Sequence, residues 1–297
     1  MPSFPRGACM LDLAFWMPVL AAGLIAGASS GLLSVYIVGM RIPFLGVCVA
    51  HAALAGAVFG ALAGLEGQLM LLPALAGAVV TALVLGLLDP ASLHMDTNVI
   101  MGLLFSVTMG LAFVGFGLFA VVGRSDSEVR SLLWGSLNFC RWSDVKLMSL
   151  ASGALAAFLV VFYKEMRAIL FSRTEAAAAG IHATAVWTGF LVLTAAVMTV
   201  NFQTVGGLMI YSLITNPAAA AFQLVRGCGR ALTLAASLGA LSGLGGFLIA
   251  AATDLPSGAV IVLFSSALVV VAALIARWRQ PARTSHPKST PTSEASF

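Results

Sequence analysis

The chain has 297 residues, of which 60% are hydrophobic and 9% are charged, and its formal net charge is +4. Soluble domains carry about 25% charged residues, so this composition excludes a water-soluble globular protein. A membrane-spanning helix needs about 20 apolar residues, and the chain is therefore long enough for one membrane domain with several spans.

Apolar stretches follow one another along the chain and predict an all-α, polytopic transmembrane bundle of eight or nine helices. They cover residues 13–39, 44–64, 69–88, 97–122, 147–163, 184–200, 204–225, 231–252 and 257–276. The lower count allows for the two stretches that only Asn201-Phe202-Gln203 separates. We expect residues 1–12 to form a retained N-terminal segment, 13–276 the membrane domain and 277–297 a disordered polar tail.

Basic residues near the ends of the stretches predict how the chain crosses the membrane. Lys and Arg are retained on the cytoplasmic side, so Arg277 and Arg279 place the C-terminus inside. Counting back through nine spans places the 164–173 loop inside and the 123–144 loop outside. That outside loop nevertheless contains Arg124, Arg130 and Arg141. Because the basic residues lie between apolar runs rather than on one basic face, we expect no nucleic-acid partner.

Glycines at every fourth position predict close helix packing in two of the stretches. The two sets are Gly23, Gly27 and Gly31, and Gly56, Gly60 and Gly64. Each set forms a flat stripe that lets a neighbouring backbone approach closely. Gly239 and Gly243 give a looser version of the same pattern late in the chain.

His51 lies within the second apolar stretch, and an ionisable residue at membrane depth is a functional candidate because its burial is costly. Cys48 precedes it by three residues and falls on the same helical face. Imidazole and thiolate groups both bind zinc and similar ions, so the pair could supply half of a metal site. Alternatively, the histidine bonds a backbone carbonyl and the cysteine is a small buried apolar residue.

Thr215-Asn216-Pro217 interrupts another apolar run. Because proline removes a backbone donor, we expect the helix to kink or break at Asn216 and Pro217, with Asn216 satisfying the freed carbonyls. Broken helices often line transport paths, although a purely structural kink is the alternative. Before the fourth stretch, Asp96 predicts a helix N-cap.

Common catalytic motifs are missing from the sequence, which contains no H-E-x-x-H, G-x-S-x-G or G-x-x-x-x-G-K-[ST]. We therefore expect the chain not to be an enzyme, and an ATP-driven pump would need its ATPase as a separate subunit. We also expect no permanently bound cofactor. The four cysteines lie far apart and indicate neither a disulfide framework nor a zinc knuckle.

Several motifs occur in an order that resembles the permease family of zinc, manganese and iron ABC importers. They are MRIPFLGVCVAHAALAG, DTNVIMGLLFS, LLWGSLNFCRWSDV, FSRTEAAAAGI, VGGLMIYSLITNPAAAA and DLPSGAVIVLF. The ordered set spans most of the chain and is much more specific than any one of its members.

The resemblance implies a permease subunit that forms the translocation path and assembles as a homodimer in the bacterial inner membrane. It also implies two partners, a cytoplasmic ABC ATPase and an extracytoplasmic metal-binding protein. Coupling to the ATPase is expected through Glu175, Ala176, Ala177 and Gly180. The outside 123–144 loop would then lie near the binding protein, although its Trp134 and Trp142 also suit anchoring at the membrane surface.

One position departs from the family pattern, in which the second span reads Gly-Asp-x-x-x-His and holds the metal through its Asp and His. His51 matches the histidine, but Val47 stands at the aspartate position. Without that carboxylate the site should favour manganese less, so we expect a transported divalent metal ion, zinc above the others, with Cys48 partly replacing the missing ligand. The competing expectation is a degraded site in a permease with a different substrate or a second permease chain.

Two other classes stay open at this point. A secondary transporter driven by an ion gradient should carry more buried carboxylates than this sequence offers. A membrane enzyme or structural subunit should lack a neighbouring ATPase gene and a neighbouring metal-binding protein gene.

Overall fold

The computed structural model describes residues 13–88, 95–125, 129 and 140–279. The α-helices of this part are α1 (Leu13–Gly39), α2 (Leu45–Leu62), α3 (Leu71–Leu87), α4 (Thr97–Val122), α5 (Trp142–Val161), α6 (Tyr163–Phe171), α7 (Arg173–Ala178), α8 (Ala183–Val205), α9 (Gly207–Leu224), α10 (Cys228–Thr253) and α11 (Ser257–Arg279). A 3-10 helix, Gly67–Met70, leads into α3. Within the described residues, eight helical segments are long and apolar enough to cross a membrane. The predicted all-α polytopic bundle is thus confirmed.

Several helices extend beyond the predicted stretches, and for α5 and α11 the ends of the helices show why. α5 begins at Trp142 rather than at 147, because the Asp144 carboxylate accepts a hydrogen bond of 2.9 Å from the Arg141 amide and caps the helix. α11 continues to Arg279, where basic residues in the last turn interact favourably with the helix dipole. The predicted tail therefore starts later than 277, and its remaining residues, 280–297, lie outside the described part, as do residues 1–12.

The boundary between α8 and α9 lies at Gly206 and not at the predicted interruption, residues 201–203. Gly206 has a φ of 94°, a conformation that glycine adopts without strain. Asn201 instead lies inside α8, where it is buried and donates a hydrogen bond of 3.2 Å to Ser29 Oγ on α1. Polar bonds of this kind hold helices together inside a bilayer.

Contacts between helix ends place several loops on one face of the bundle, which we name the 164–183 face. The Arg173 guanidinium on α7 donates a hydrogen bond of 3.1 Å to the Gly86 carbonyl at the end of α3. At the start of α4, the side-chain Nδ2 of Asn98 donates a hydrogen bond of 3.4 Å to the Arg41 carbonyl, which follows α1. The ends of α1 and α3 and the start of α4 therefore share this face, as the predicted alternation of spans requires.

Arg124, one of the three arginines in the predicted outside loop, lies at the opposite face of the bundle and bonds protein groups there. Its Nη1 donates hydrogen bonds of 3.2 Å and 3.3 Å to the Ala61 and Leu62 carbonyls at the end of α2. A cation is favourable at a helix C-terminus, where carbonyls lack intrahelical partners. Arg124 thus joins the ends of α2 and α4.

The glycine stripe of α1 packs against the looser stripe of α10. A Cβ at Gly27 would overlap the Gly239 carbonyl, and a Cβ at Gly239 would overlap the Gly27 carbonyl. One turn earlier on α1, a Cβ at Gly23 would lie 3.2 Å from the carbonyl oxygen of Gly243, which is one turn later on α10. The predicted close packing is confirmed, and the two stripes are partners in one interface.

The second stripe brings α2 equally close to α3. A Cβ at Gly56 would overlap the Pro73 carbonyl, while Gly60 lies against the Pro73 ring. From the other side, a Cβ at Gly77 would overlap the Ala52 carbonyl. Gly64, the third member of the predicted stripe, lies beyond the end of α2 with a φ of 91°.

We predict that Gly27→Ala lowers the stability of the purified protein in detergent by about 1–3 kcal/mol, the usual cost of overpacking. The added methyl would overlap a backbone carbonyl, which cannot rotate away as a side chain can. The matched control is Gly110→Ala on α4, because nothing lies within 4 Å of a Cβ at that position. The midpoint of thermal unfolding measures both variants, and equal midpoints would contradict the packing described above.

Candidate metal site

His51 lies on α2, partly buried, with its Nδ1 atom 2.9 Å from the Val47 carbonyl. Because a carbonyl can only accept, Nδ1 carries the proton in this contact. The lone pair of Nε2 is then available to a metal ion, and the hydrogen bond orients the ring. The acceptor lies on the same helix, one turn earlier, at the residue that replaces the aspartate of the family pattern.

Two aromatic rings enclose one side of His51. The Phe105 ring on α4 packs against the imidazole at 4.9 Å between centroids, with 79° between the planes. Phe44, the residue before α2, contacts Phe105 in the same edge-to-face manner at 5.4 Å. Phe105 therefore covers part of the imidazole, and Phe44 packs behind Phe105. The sequence analysis did not identify them, because a phenylalanine in an apolar run carries no signal of its own.

Cys48 is fully buried on the same helix. A spacing of three residues turns the helix by about 300°, so Cys48 and His51 project in directions about 60° apart. In the described part of the chain, no three His, Cys, Asp or Glu side chains come together in a group that could hold a metal ion. The pair therefore supplies two donors of different kinds rather than a complete ligand set.

The interior of the described residues contains no buried carboxylate and no buried Lys or Arg. Its buried polar side chains are Ser29, Ser30, Ser34, Thr81, Thr194, Thr199, Asn201, Thr204, Ser212, Ser242 and Ser265. These neutral groups mostly donate to carbonyls of their own helices, as in the 2.6 Å bond from Ser34 to Gly31. In the described part of the chain, His51 and Cys48 are thus the candidate metal ligands at membrane depth.

The predicted break at Asn216 and Pro217 is wrong, because α9 continues through Pro217. A proline costs a transmembrane helix one backbone hydrogen bond, which neighbouring groups can compensate. Nor is Asn216 seen to satisfy freed carbonyls, since its Nδ2 donates to Ser265 Oγ at 2.9 Å and Ser266 Oγ at 3.1 Å on α11. The break between helices in this part of the chain lies instead at Gly206, between α8 and α9.

The segment expected to couple to an ATPase forms the short helix α7 on the 164–183 face. Ser172 caps it by accepting a 3.2 Å hydrogen bond from the Glu175 amide, and Gly180 ends the turn that follows with a φ of 84°. Ala176 is buried against the bundle, while Glu175 and Ala177 are exposed. The exposed side chains are thus available to another protein.

Asp96 caps α4 as predicted, because its carboxylate accepts a 2.7 Å hydrogen bond from the Asn98 amide. Trp142 begins α5 and is exposed, whereas Trp134 lies outside the described residues. Cys140 lies just before α5, where burial, with a smaller effect of the Asp144 carboxylate, raises the pKa of its thiol to about 12.

Comparison with known proteins gives a match to the family described as "ABC 3 transport family" over residues 12–276. The manganese transport system membrane protein MntC of Listeria monocytogenes is 24% identical over 269 residues, covering 90% of this chain and 92% of the relative. The zinc transport system membrane protein TroC of Treponema pallidum is 28% identical over 265 residues, covering 86% and 87%.

A solved structure shows the same fold. In the structure titled "PsaBC from Streptococcus pneumoniae in complex with Fab", the matching chain superposes with a TM-score of 0.75 at 19% identity. The match covers 89% of this chain and 92% of the other. At this level of identity the likeness is one of architecture.

Proposed function

The chain belongs to the ABC 3 transport family, and on this premise we propose that it is the transmembrane permease subunit of an ATP-binding cassette importer for a divalent transition metal ion. Relatives named for manganese and for zinc transport align over most of its length. The observation that carries the proposal is His51, held by the Val47 carbonyl so that Nε2 can bind metal. The transported ion is a substrate and not a resident cofactor.

Zinc is the metal that this site favours. A thiol and an imidazole suit zinc, while manganese prefers carboxylate and other oxygen ligands. Val47 supplies no carboxylate, and the described interior contains none. Cys48 would act as thiolate and second donor, and the remaining coordination positions would be filled by water or by a second copy of the chain across a dimer interface.

The proposed partners follow from the faces of the bundle. A cytoplasmic ATPase would dock on the 164–183 face through Glu175, Ala177 and Gly180, with buried Ala176 seating α7 on the bundle. Two copies of the permease would join two ATPase subunits, and an extracytoplasmic binding protein would deliver metal to the opposite face. The inner bacterial membrane is the proposed site of assembly, and Arg277 and Arg279 support a cytoplasmic C-terminus.

Transport requires two states with different affinities for the ion. We expect ATP binding to move α7 together with the ATPases and to repack the helices around His51, so that the site opens outward. Hydrolysis then returns it to the inward state. Gly206, which separates α8 from α9, and the α9 residues Asn216 and Pro217 belong to the part of the bundle that we expect to rearrange.

A secondary transporter is the alternative that the interior disfavours. Such proteins relay protons or sodium through buried carboxylates, and the described interior has none. A permease of this family with another substrate is the second alternative, and metal uptake by the variants below separates it from the proposal.

We predict that His51→Ala lowers zinc uptake by at least about tenfold at low zinc concentration, the factor that about 1.4 kcal/mol of lost binding produces. Cys48→Ser should lower it less, because a hydroxyl can still donate an oxygen. Uptake of radioactive zinc is measured in vesicles that contain the permease with its ATPase and binding protein.

The matched controls are His182→Ala and Cys228→Ser, which change the same residue types. Because both lie near the 164–183 face, the uptake of every variant is divided by its rate of ATP hydrolysis, and both controls should retain the wild-type ratio. Unchanged uptake in His51→Ala and in Cys48→Ser would refute the site assignment, and no zinc uptake by the wild-type transporter would refute the proposed metal.

We predict that Val47→Asp raises manganese uptake relative to zinc uptake by about tenfold. The new carboxylate would lie one turn before His51, where the family carries its aspartate, and would supply the oxygen ligand that manganese prefers. Val47→Asn is the matched control for size, because its neutral amide is a weaker ligand. Identical manganese-to-zinc ratios in the wild type and Val47→Asp would contradict the role given to this position.

A further inference from the structure

Arg173 ties three helices together at the 164–183 face. From the first residue of α7, its Nη2 donates to the Gly86 carbonyl at 3.1 Å and to Thr184 Oγ1 at 3.2 Å. Gly86 belongs to the last turn of α3, and Thr184 to the first turn of α8. One guanidinium thus joins α7 to two long helices of the bundle.

Within the described residues, α7 buries little of its own surface against the bundle. The helix has six residues, of which Ala176 is the buried one. An alanine methyl buries little apolar surface, and an open groove of about 780 Å³ runs past Ala177 along α8. Hydrogen bonds from a charged donor are stronger than neutral ones, so the Arg173 bonds are the main polar attachment of α7.

The helix α3, to which Arg173 is bonded, also packs against α2, the helix that carries His51. Gly77, two and a half turns before Gly86 on α3, lies against the Ala52 carbonyl of α2 with no side chain between the backbones. Ala52 is the residue next to His51. At the 164–183 face, Gly86 itself packs against the Thr188 side chain of α8, so α7 and α8 both contact this end of α3.

We propose that Arg173 is the positioning residue through which movement of α7 reaches α2 and His51, by way of α3. A displacement of α7 pulls the Gly86 carbonyl, α3 moves as a rigid rod, and the close contact at Gly77 carries α2 along. The inference rests on the proposed function, because it assumes that an ATPase moves α7 and that His51 holds the transported ion.

The test measures zinc transported per ATP hydrolysed, in vesicles that contain the complete transporter. Arg173→Gln removes the charge, and we expect it to hydrolyse ATP within about twofold of wild type while transport per ATP falls at least about fivefold. Arg173→Lys keeps a cation without the planar fork, so it should restore part of the ratio. Arg230→Gln is the matched control, an exposed arginine in the first turn of α10, and should retain the wild-type ratio.

An unchanged ratio in Arg173→Gln would overturn the proposal, as would equal losses of ATP hydrolysis and transport, which indicate lost assembly. If Arg173→Gln does not fold, Thr184→Val decides, because it removes one acceptor at constant size and should lower the ratio by a smaller factor; an unchanged ratio there overturns the proposal. A wild-type transporter that hydrolyses ATP without moving zinc would instead contradict the proposed function.

Discussion

The bundle depends on direct contact between helix backbones at glycine. Lipid tails are as apolar as the side chains they surround, so helices in a membrane associate mainly through close packing and hydrogen bonds. Gly27 and Gly239 bring α1 onto α10, and Gly56 and Gly77 bring α2 onto α3. Where no side chain lies between two backbones, the helices are in direct contact. The helix that carries His51 therefore packs directly on α3, and the role proposed for Arg173 depends on this contact.

The second constraint is the absence of carboxylates from the described interior. Where the family pattern carries an aspartate, this chain has Val47, and its main-chain carbonyl accepts the hydrogen bond from His51. The backbone thus orients the imidazole without adding a charge. Under the proposed function, nitrogen and sulfur donors would select the metal beside the Phe105 ring, which packs on the imidazole. Such donors would favour zinc over manganese more than a carboxylate site does.

The sequence predicted the features that depend on neighbouring residues. The helical class, the N-cap at Asp96 and the packing of the Gly27 stripe all follow from local spacing or composition. The boundary at Gly206 was missed because asparagine is common in turns, so the turn was predicted at Asn201. In the structure Asn201 lies inside α8 and bonds Ser29, a partner too distant in sequence to be predicted. Pro217 was predicted to kink or break its helix, and the structure shows no break there, since α9 continues through it.

The contacts around the site could not be predicted, since they join distant segments. Phe105 reaches His51 from α4, and Arg173 reaches Gly86 from 87 residues away. Neither residue type carries a signal in its local context. Their partners are determined by the order in which the helices pack, which a single sequence does not reveal.

X-ray absorption at the zinc edge tests the central claim most directly, with the permease purified together with its ATPase and without the binding protein. The account predicts an imidazole nitrogen at about 2.0–2.1 Å and a sulfur at about 2.3 Å from bound zinc. The sulfur signal should vanish in Cys48→Ser and the imidazole signal in His51→Ala, while His182→Ala retains both. A zinc spectrum that neither Cys48→Ser nor His51→Ala alters would contradict the account.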